Sequence, residues 1–157
     1  MFIKQFVDED FVNYKLPCMF IGMPNCSMKC EKHGDFICQN RSLLEAPNKQ
    51  VTITELIMRY DKNPLTQAIV FGGLEPLDDF DDLICFISNF RYEHADTVVI
   101  YTGYEEHEVK KKIEQLSLYE NIVVKFGRYI PGHTPHYDPI LGVNLASDNQ
   151  YAKEISK

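Results

Sequence analysis

Two rhythms of apolar residues run through the chain. Short continuous runs at 16–22, 68–71, 97–101 and 122–125 are bounded by Gly, Pro, Asn or polar residues. Runs of that length and content predict strands buried on both faces. Between them the apolar positions fall at helical spacing. Thr52 and Glu55 have the capping-box spacing just before Leu56, Ile57, Met58 and Tyr60, and Asn63-Pro64 closes that helix. Phe80, Leu83, Ile84, Phe86, Ile87 and Phe90 predict a second helix, with Asp78, Asp79, Asp81 and Asp82 crowding its start, where amide dipoles favour acidic groups. A third helix is predicted over 105–116. Residues 1–15 show no clear period and read as an entry hairpin or a lead-in strand. Residues 41–50 read as irregular. Residues 126–157, rich in Gly, Pro and Asn, read as an extended tail packed on a single domain spanning 1–157.

Strand alternating with helix is the signature of an α/β fold with a parallel sheet and helical crossovers. Right-handed crossovers carry the C-terminal ends of the strands to one edge, where such folds bind ligands. Three loops therefore meet there: the cysteine-rich loop after the first run, Gly72-Gly73-Leu74-Glu75-Pro76 after the second, and Thr102-Gly103-Tyr104 after the third.

Composition narrows the partners. The chain has 157 residues, 45% hydrophobic and 25% charged, which suits a soluble domain. Its net charge of −7 argues against nucleic acid; the one basic cluster, at 110–112, shares its helix with several glutamates and reads as a solvated face. No apolar run is long enough to cross a bilayer and the N-terminus carries no secretory h-region, so the expectation is a cytoplasmic protein without a membrane partner. In that compartment disulfides are rare and clustered cysteines more often bind metals or do redox work.

Four of the five cysteines lie between residues 16 and 40: Cys18, Cys26, Cys30 and Cys38. Structural zinc prefers four ligands from two close pairs; here the spacing is C-x3-C-x7-C, with Cys18 or His33 available as a fourth ligand. A cubane iron–sulfur cluster normally takes four thiolates, and three would leave one iron open. Zinc, a cluster and unconnected thiols all remain open on this pattern. Cys85, inside a helix, reads as a core residue. His133, His136 and Asp138 read as a polar loop among Pro131, Pro135 and Pro139.

The chain resembles the radical S-adenosylmethionine (SAM) enzymes, and most of all their shortest members, the activating proteins of anaerobic (class III) ribonucleotide reductase. The resemblance rests on a strand and glycine leading into a three-cysteine loop, on Asn40 two residues after Cys38, on Gly72-Gly73-Leu74-Glu75-Pro76-Leu77 and on Tyr101-Thr102-Gly103-Tyr104. Gly127-Arg128-Tyr129-Ile130 and Ser147-Asp148-Asn149-Gln150 add to it, so that it covers about residues 16–152. One departure stands out. The family spacing is C-x3-C-x2-C, which would place the third cysteine at His33; Asn40 keeps the family's distance from Cys38 instead.

The resemblance implies a small partial (βα) barrel and a 4Fe-4S cluster on Cys26, Cys30 and Cys38, with SAM on the open iron. Asn40, Gly72, Gly73, Glu75, Thr102, Gly103 and Tyr104 would line the SAM site. Electron transfer from the cluster would cleave SAM to a 5′-deoxyadenosyl radical that takes hydrogen from a glycine of the partner. The implied partners are the glycyl-radical domain of the anaerobic reductase's large subunit and a flavodoxin- or ferredoxin-type electron donor. The alternatives are a small radical SAM enzyme acting on another peptide or small molecule, and a non-catalytic module that binds a metal or cluster.

Overall fold

The computed structural model describes residues 1–31 and 37–156. Its centre is a six-stranded sheet. In chain order the strands are β1 (Phe2–Ile3), β2 (Gln5–Asp10), β3 (Cys18–Met23), β4 (Lys49–Gln50), β5 (Ala68–Gly73), β6 (Thr97–Tyr101), β7 (Ile122–Phe126), β8 (His136–Asp138), β9 (Val143–Leu145) and β10 (Tyr151–Glu154). The sheet order is β10-β7-β6-β5-β3-β2, while β1-β4 and β8-β9 form two-stranded ribbons. The four strands that grow from the apolar runs pair in parallel, with Phe20 opposite Val70, Val70 opposite Val99, and Val99 opposite Val123. Both edges are antiparallel: β2 on β3 and β10 on β7. The sheet is thus mixed, where alternation alone gives a parallel one. The added edges are polar segments (QFVDED, YAKE), whose side chains suit strands with one neighbour.

Helices α1 (Arg41–Glu45), α2 (Ile53–Lys62), α3 (Phe80–Phe90) and α4 (Lys110–Leu116) connect the strands. The α2 capping box is present in both directions between Thr52 and Glu55. The α1 helix and β4 occupy a stretch whose sequence reads as irregular; α1 has no buried residue, so no apolar stripe marks it. The third predicted helix is broken into a 3-10 turn, Glu106–Glu108, and α4. Glu108 turns its carboxylate back to the Glu105 N–H at 2.8 Å and pairs with Arg128 at 2.7 Å, and Val109 leaves the helical region between the two pieces.

All the large helices lie on one face of the sheet. Leu56, Leu83, Phe86, Phe90, Ile113 and Leu116 pack there on Met19, Ile21, Ile69, Phe71, Ile100 and Val124. The opposite face, carrying Phe20, Val70, Val99, Val123 and Ala152, is covered by Tyr14, Leu141 and Leu145. Strands β3, β5, β6 and β7 follow one another across the sheet without reversal, a singly wound order. Among the described residues no helix is long and apolar enough to cross a membrane.

Candidate metal centre

The strand run continues through glycine at the C-terminal edge. Gly22 lies opposite Gly72, and Met23 opposite Gly73. Gly73 has φ +78°, and a Cβ there would stand 3.2 Å from the Gly22 Cα. Glycine alone satisfies both the left-handed backbone and that approach. A Cβ on Gly72 would stand 3.1 Å from the Phe20 ring. The bare backbone opens a cavity of about 490 Å³. Cys26, Cys30, Cys38, Asn40, Gly72, Gly73, Glu75, Thr102 and Gly103 all line it. Tyr104 stands beside it, in a smaller hollow shared with Cys26 and Cys30. The structure thus gathers the residues singled out in the sequence around one opening.

Each arm of the cysteine loop has its own anchors. On the first arm Asn25 donates from its backbone N–H (3.2 Å) and its Nδ2 (2.6 Å) to the Asp79 carboxylate, and its carbonyl accepts the Glu75 N–H at 2.9 Å. Ser27 donates its N–H to Asp78 Oδ2 at 2.6 Å. Met28, at φ +53°, turns its N–H to Cys26 Sγ at 3.3 Å. On the second arm Cys38 donates its N–H to Glu31 Oε1 at 3.3 Å, and Arg41 pairs with the same carboxylate at 3.1 Å. Asn40 reaches across to the Gly73 carbonyl with its Nδ2 at 2.6 Å. The cysteine loop and the glycine turn are therefore joined directly. His33, the alternative third ligand, lies outside the described residues, as do Gly34 and Asp35 of the loop's excursion.

Glu75 is buried and braced. Its Oε1 accepts from the Leu77 N–H (3.1 Å) and Thr102 Oγ1 (2.7 Å), and its Oε2 accepts from the Gly103 N–H (2.8 Å). Burial raises its pKa against the pull of those donors. It ties the Gly72–Glu75 turn to the Thr102–Tyr104 turn. Thr102 in turn accepts the Tyr104 N–H on its Oγ1 at 3.0 Å.

Burial and mutual repulsion set the protonation of the thiols. All five cysteines are free. Burial pushes the Cys26 thiol up to about 11, with Glu75, Cys30 and Asp78 adding negative charge and the Met28 N–H opposing. Cys30 is raised as well, first by burial and then by Cys38. Thiolates crowded together need a cationic centre to hold them deprotonated. Zinc, with Zn–S bonds of about 2.3 Å, would draw its thiolates within about 4 Å of one another. Among the described residues the set of three metal-capable side chains whose ligand atoms all lie within 4.8 Å is Asp61, Glu93 and His94; the three cysteine sulfurs are not all within that distance of one another. The Asp61–His94 contact is an ion pair at 2.9 Å near the ends of α2 and α3.

Other sequence candidates separate. Cys18 is buried in β3, donates to the Asp10 carbonyl at 3.4 Å, and is pushed up to about 12, first by burial, whereas Cys85, which reads as a core residue, is exposed on α3. His133 pairs with Asp148 at 2.6 Å, whereas Asp138 is buried and accepts from the N–H groups of Ile140, Leu141 and Ala152 at 2.9 Å. Among the described residues they form no common metal site. Three residues gain importance from the structure. Asp78 and Asp79, which read as helix-start acids, hold the cysteine loop. Lys125, inside the apolar run of β7, lines the cavity with its ammonium on the Gly127 carbonyl at 2.8 Å. A lysine interrupting a buried run is the signal that marks it.

Comparison with curated proteins and with solved structures returns no match. A family model described as a 4Fe-4S single cluster domain matches residues 18–135, a span that holds every cysteine and all three loops. The chain belongs to the family of 4Fe-4S single cluster domains.

Proposed function

We propose that this 4Fe-4S protein is a radical SAM activase that generates a glycyl radical on anaerobic ribonucleotide reductase. The observation that carries the reading is the cavity on which the three cysteines, the glycine turn and the Thr102-Gly103 turn converge. Cys26, Cys30 and Cys38 would hold the cluster. When bound, the cluster supplies an electron and an iron site that no protein thiolate takes.

The chain's own residues do the rest. Gly72 and Gly73 let a ligand approach the backbone closely, and Asn40 fixes the Gly73 carbonyl. Glu75 already accepts three protein hydrogen bonds, so its part is to hold the two turns together and put negative charge in the cavity wall. Lys125 adds a buried positive charge to the same wall. Opposite charges suit the amino-acid end of SAM, which carries an ammonium and a carboxylate. The singly wound strands, with helices on one face and the cavity on the other, suit a partial (βα) barrel with its site at the C-terminal ends of the strands. The cavity is open to solvent rather than enclosed. That suits a macromolecular substrate which closes the site itself, here the reductase's glycyl-radical domain, with a flavodoxin- or ferredoxin-type protein as electron source.

The test is to mix the reconstituted protein with a cognate class III reductase, SAM and a reductant under anaerobic conditions. A glycyl-radical doublet in the EPR spectrum is the outcome this reading requires. SAM cleavage without any such doublet would point to another substrate.

A further inference from the structure

Among the contacts around the cysteine loop, one closed set ties the loop to the turn after β6. Tyr104 donates its hydroxyl to Asp78 Oδ1 at 2.6 Å. Asp78 Oδ2 accepts the Ser27 N–H at 2.6 Å. Ser27 Oγ and the Tyr104 hydroxyl are 3.1 Å apart, which closes the ring. Ser27 directly follows Cys26, and on the other side of that cysteine Asn25 is held by Asp79. Lys29 lies over the Tyr104 ring with its ammonium 4.6 Å from the centroid, and the Arg128 guanidinium is 5.5 Å from it. The tyrosine is thus gripped at its ring by two cations and at its hydroxyl by the aspartate and the serine.

We propose that Asp78 and Tyr104 are positioning residues that fix the Cys26 arm, through Ser27, in the geometry that holds the cluster. The inference rests on a cluster bound by Cys26, Cys30 and Cys38. In the sequence Asp78 is one of several acids at a helix start. Three links set the geometry. The 3-10 turn Pro76–Asp79 is fixed by Glu75, whose carboxylate accepts the Leu77 N–H. From that turn Asp78 and Asp79 reach the residues on either side of Cys26. Tyr104, on the neighbouring loop, then holds Asp78 to one rotamer. Side chains locked by surrounding hydrogen bonds in this way keep a ligand set to within a fraction of an ångström. The same ring joins the cysteine arm to the turn that lines the cavity, so a shift in one is passed to the other.

The experiment compares the reconstituted protein with Asp78→Ala, Asp78→Asn and Tyr104→Phe. Iron and sulfide content is measured first, then the rate of iron release to a chelator, then the EPR spectrum of the reduced cluster. Asp78→Ala leaves the Ser27 N–H and the Tyr104 hydroxyl without their acceptor, so iron release is expected about tenfold faster. Tyr104→Phe keeps the ring but loses the hydroxyl, and a release rate about threefold faster is expected. Both variants should alter the EPR g-values, which a change in overall stability alone would not move. Asp78→Asn offers its oxygen to Ser27 and its amide to Tyr104, and is expected to restore the native release rate and line shape. Release rates and spectra unchanged in both Asp78→Ala and Tyr104→Phe would overturn the proposal. So would an Asp78→Asn protein that behaves like Asp78→Ala, since charge rather than hydrogen bonding would then be responsible. If Asp78→Ala does not fold, the Tyr104→Phe and Asp78→Asn pair still decides. Failure of the unaltered chain to take up iron contradicts the cluster assignment itself, a result distinct from all of these.

Discussion

The two faces of the sheet use the same strands for opposite ends. On the helix face Phe71, Phe86 and Phe90 are wholly buried, with Phe71 edge-on to Phe86 at 5.0 Å and Phe86 stacked on Phe90 at 5.9 Å. On the other face the central layer is equally apolar: Phe20, Val70, Val99 and Val123. Two residues further along each strand the side chains return to that face, and there they are Gly22, Gly72, Tyr101 and Lys125. The packing layer gives way to glycine, a phenol and an ammonium, and all but Gly22 line the cavity. The site is thus the last layer of the core with its filling removed. Tyr101 stays anchored, its hydroxyl on the Asn13 carbonyl at 2.6 Å.

The largest effect that can break this contrast is at the thiols. Cys26→Ala, Cys30→Ala and Cys38→Ala should each lose the cluster, while Cys18→Ala should keep it. Iron and sulfide per chain after anaerobic reconstitution is the check, and a Cys38→Ala protein with full iron content would shift the third ligand to the His33 segment. Next comes the filled face: Phe86→Ala should cost about 3–5 kcal/mol in denaturant unfolding, because the cavity it leaves is surrounded by rigid aromatic neighbours.

Lys125 sharpens the comparison through pH. Burial lowers its pKa from 10.5 to about 8, against the attraction of Glu75 and Glu105. Between those values the unfolded chain binds the proton that the folded chain has released, so this residue's contribution to stability rises with pH. Measured against Lys125→Met, the unaltered protein should recover up to about 3 kcal/mol in unfolding free energy between pH 8 and 10.5. A difference that is flat with pH would mean the ammonium is solvated. The smallest expected effect is Gly73→Ala, at about 1–3 kcal/mol for placing a Cβ in the left-handed region against Gly22. Thermal unfolding of the variant reads it.

Much of this was legible before the structure because the core strands carry their signal in continuous apolar runs. TVVIY gives β6 its observed bounds, and Thr52 with Glu55 marks the start of α2. The meeting of the three loops follows from crossover handedness alone. What escaped has equally physical causes. The β10 edge is polar and pairs on one side, so no hydrophobic period announces it, whereas β2 falls in the segment that reads as an entry hairpin or lead-in strand. The Glu106–Glu108 turn depends on a partner, Arg128, that is distant in sequence. Asp78 and Asp79 have two roles available to them, at a helix start and as acceptors for a neighbouring loop, and composition separates neither. Glu75 shows in the sequence only as the acid of a glycine turn; its bracing by Leu77, Thr102 and Gly103 is set by the fold.

The central claim is that the cavity brings SAM to a cluster held by three thiolates. Its most direct test is to incubate the anaerobically reconstituted protein with SAM and dithionite and to assay the products by mass spectrometry. Formation of 5′-deoxyadenosine and methionine, lost in Cys26→Ala, is the predicted result. A protein with full iron and sulfide content that leaves SAM intact would contradict the claim.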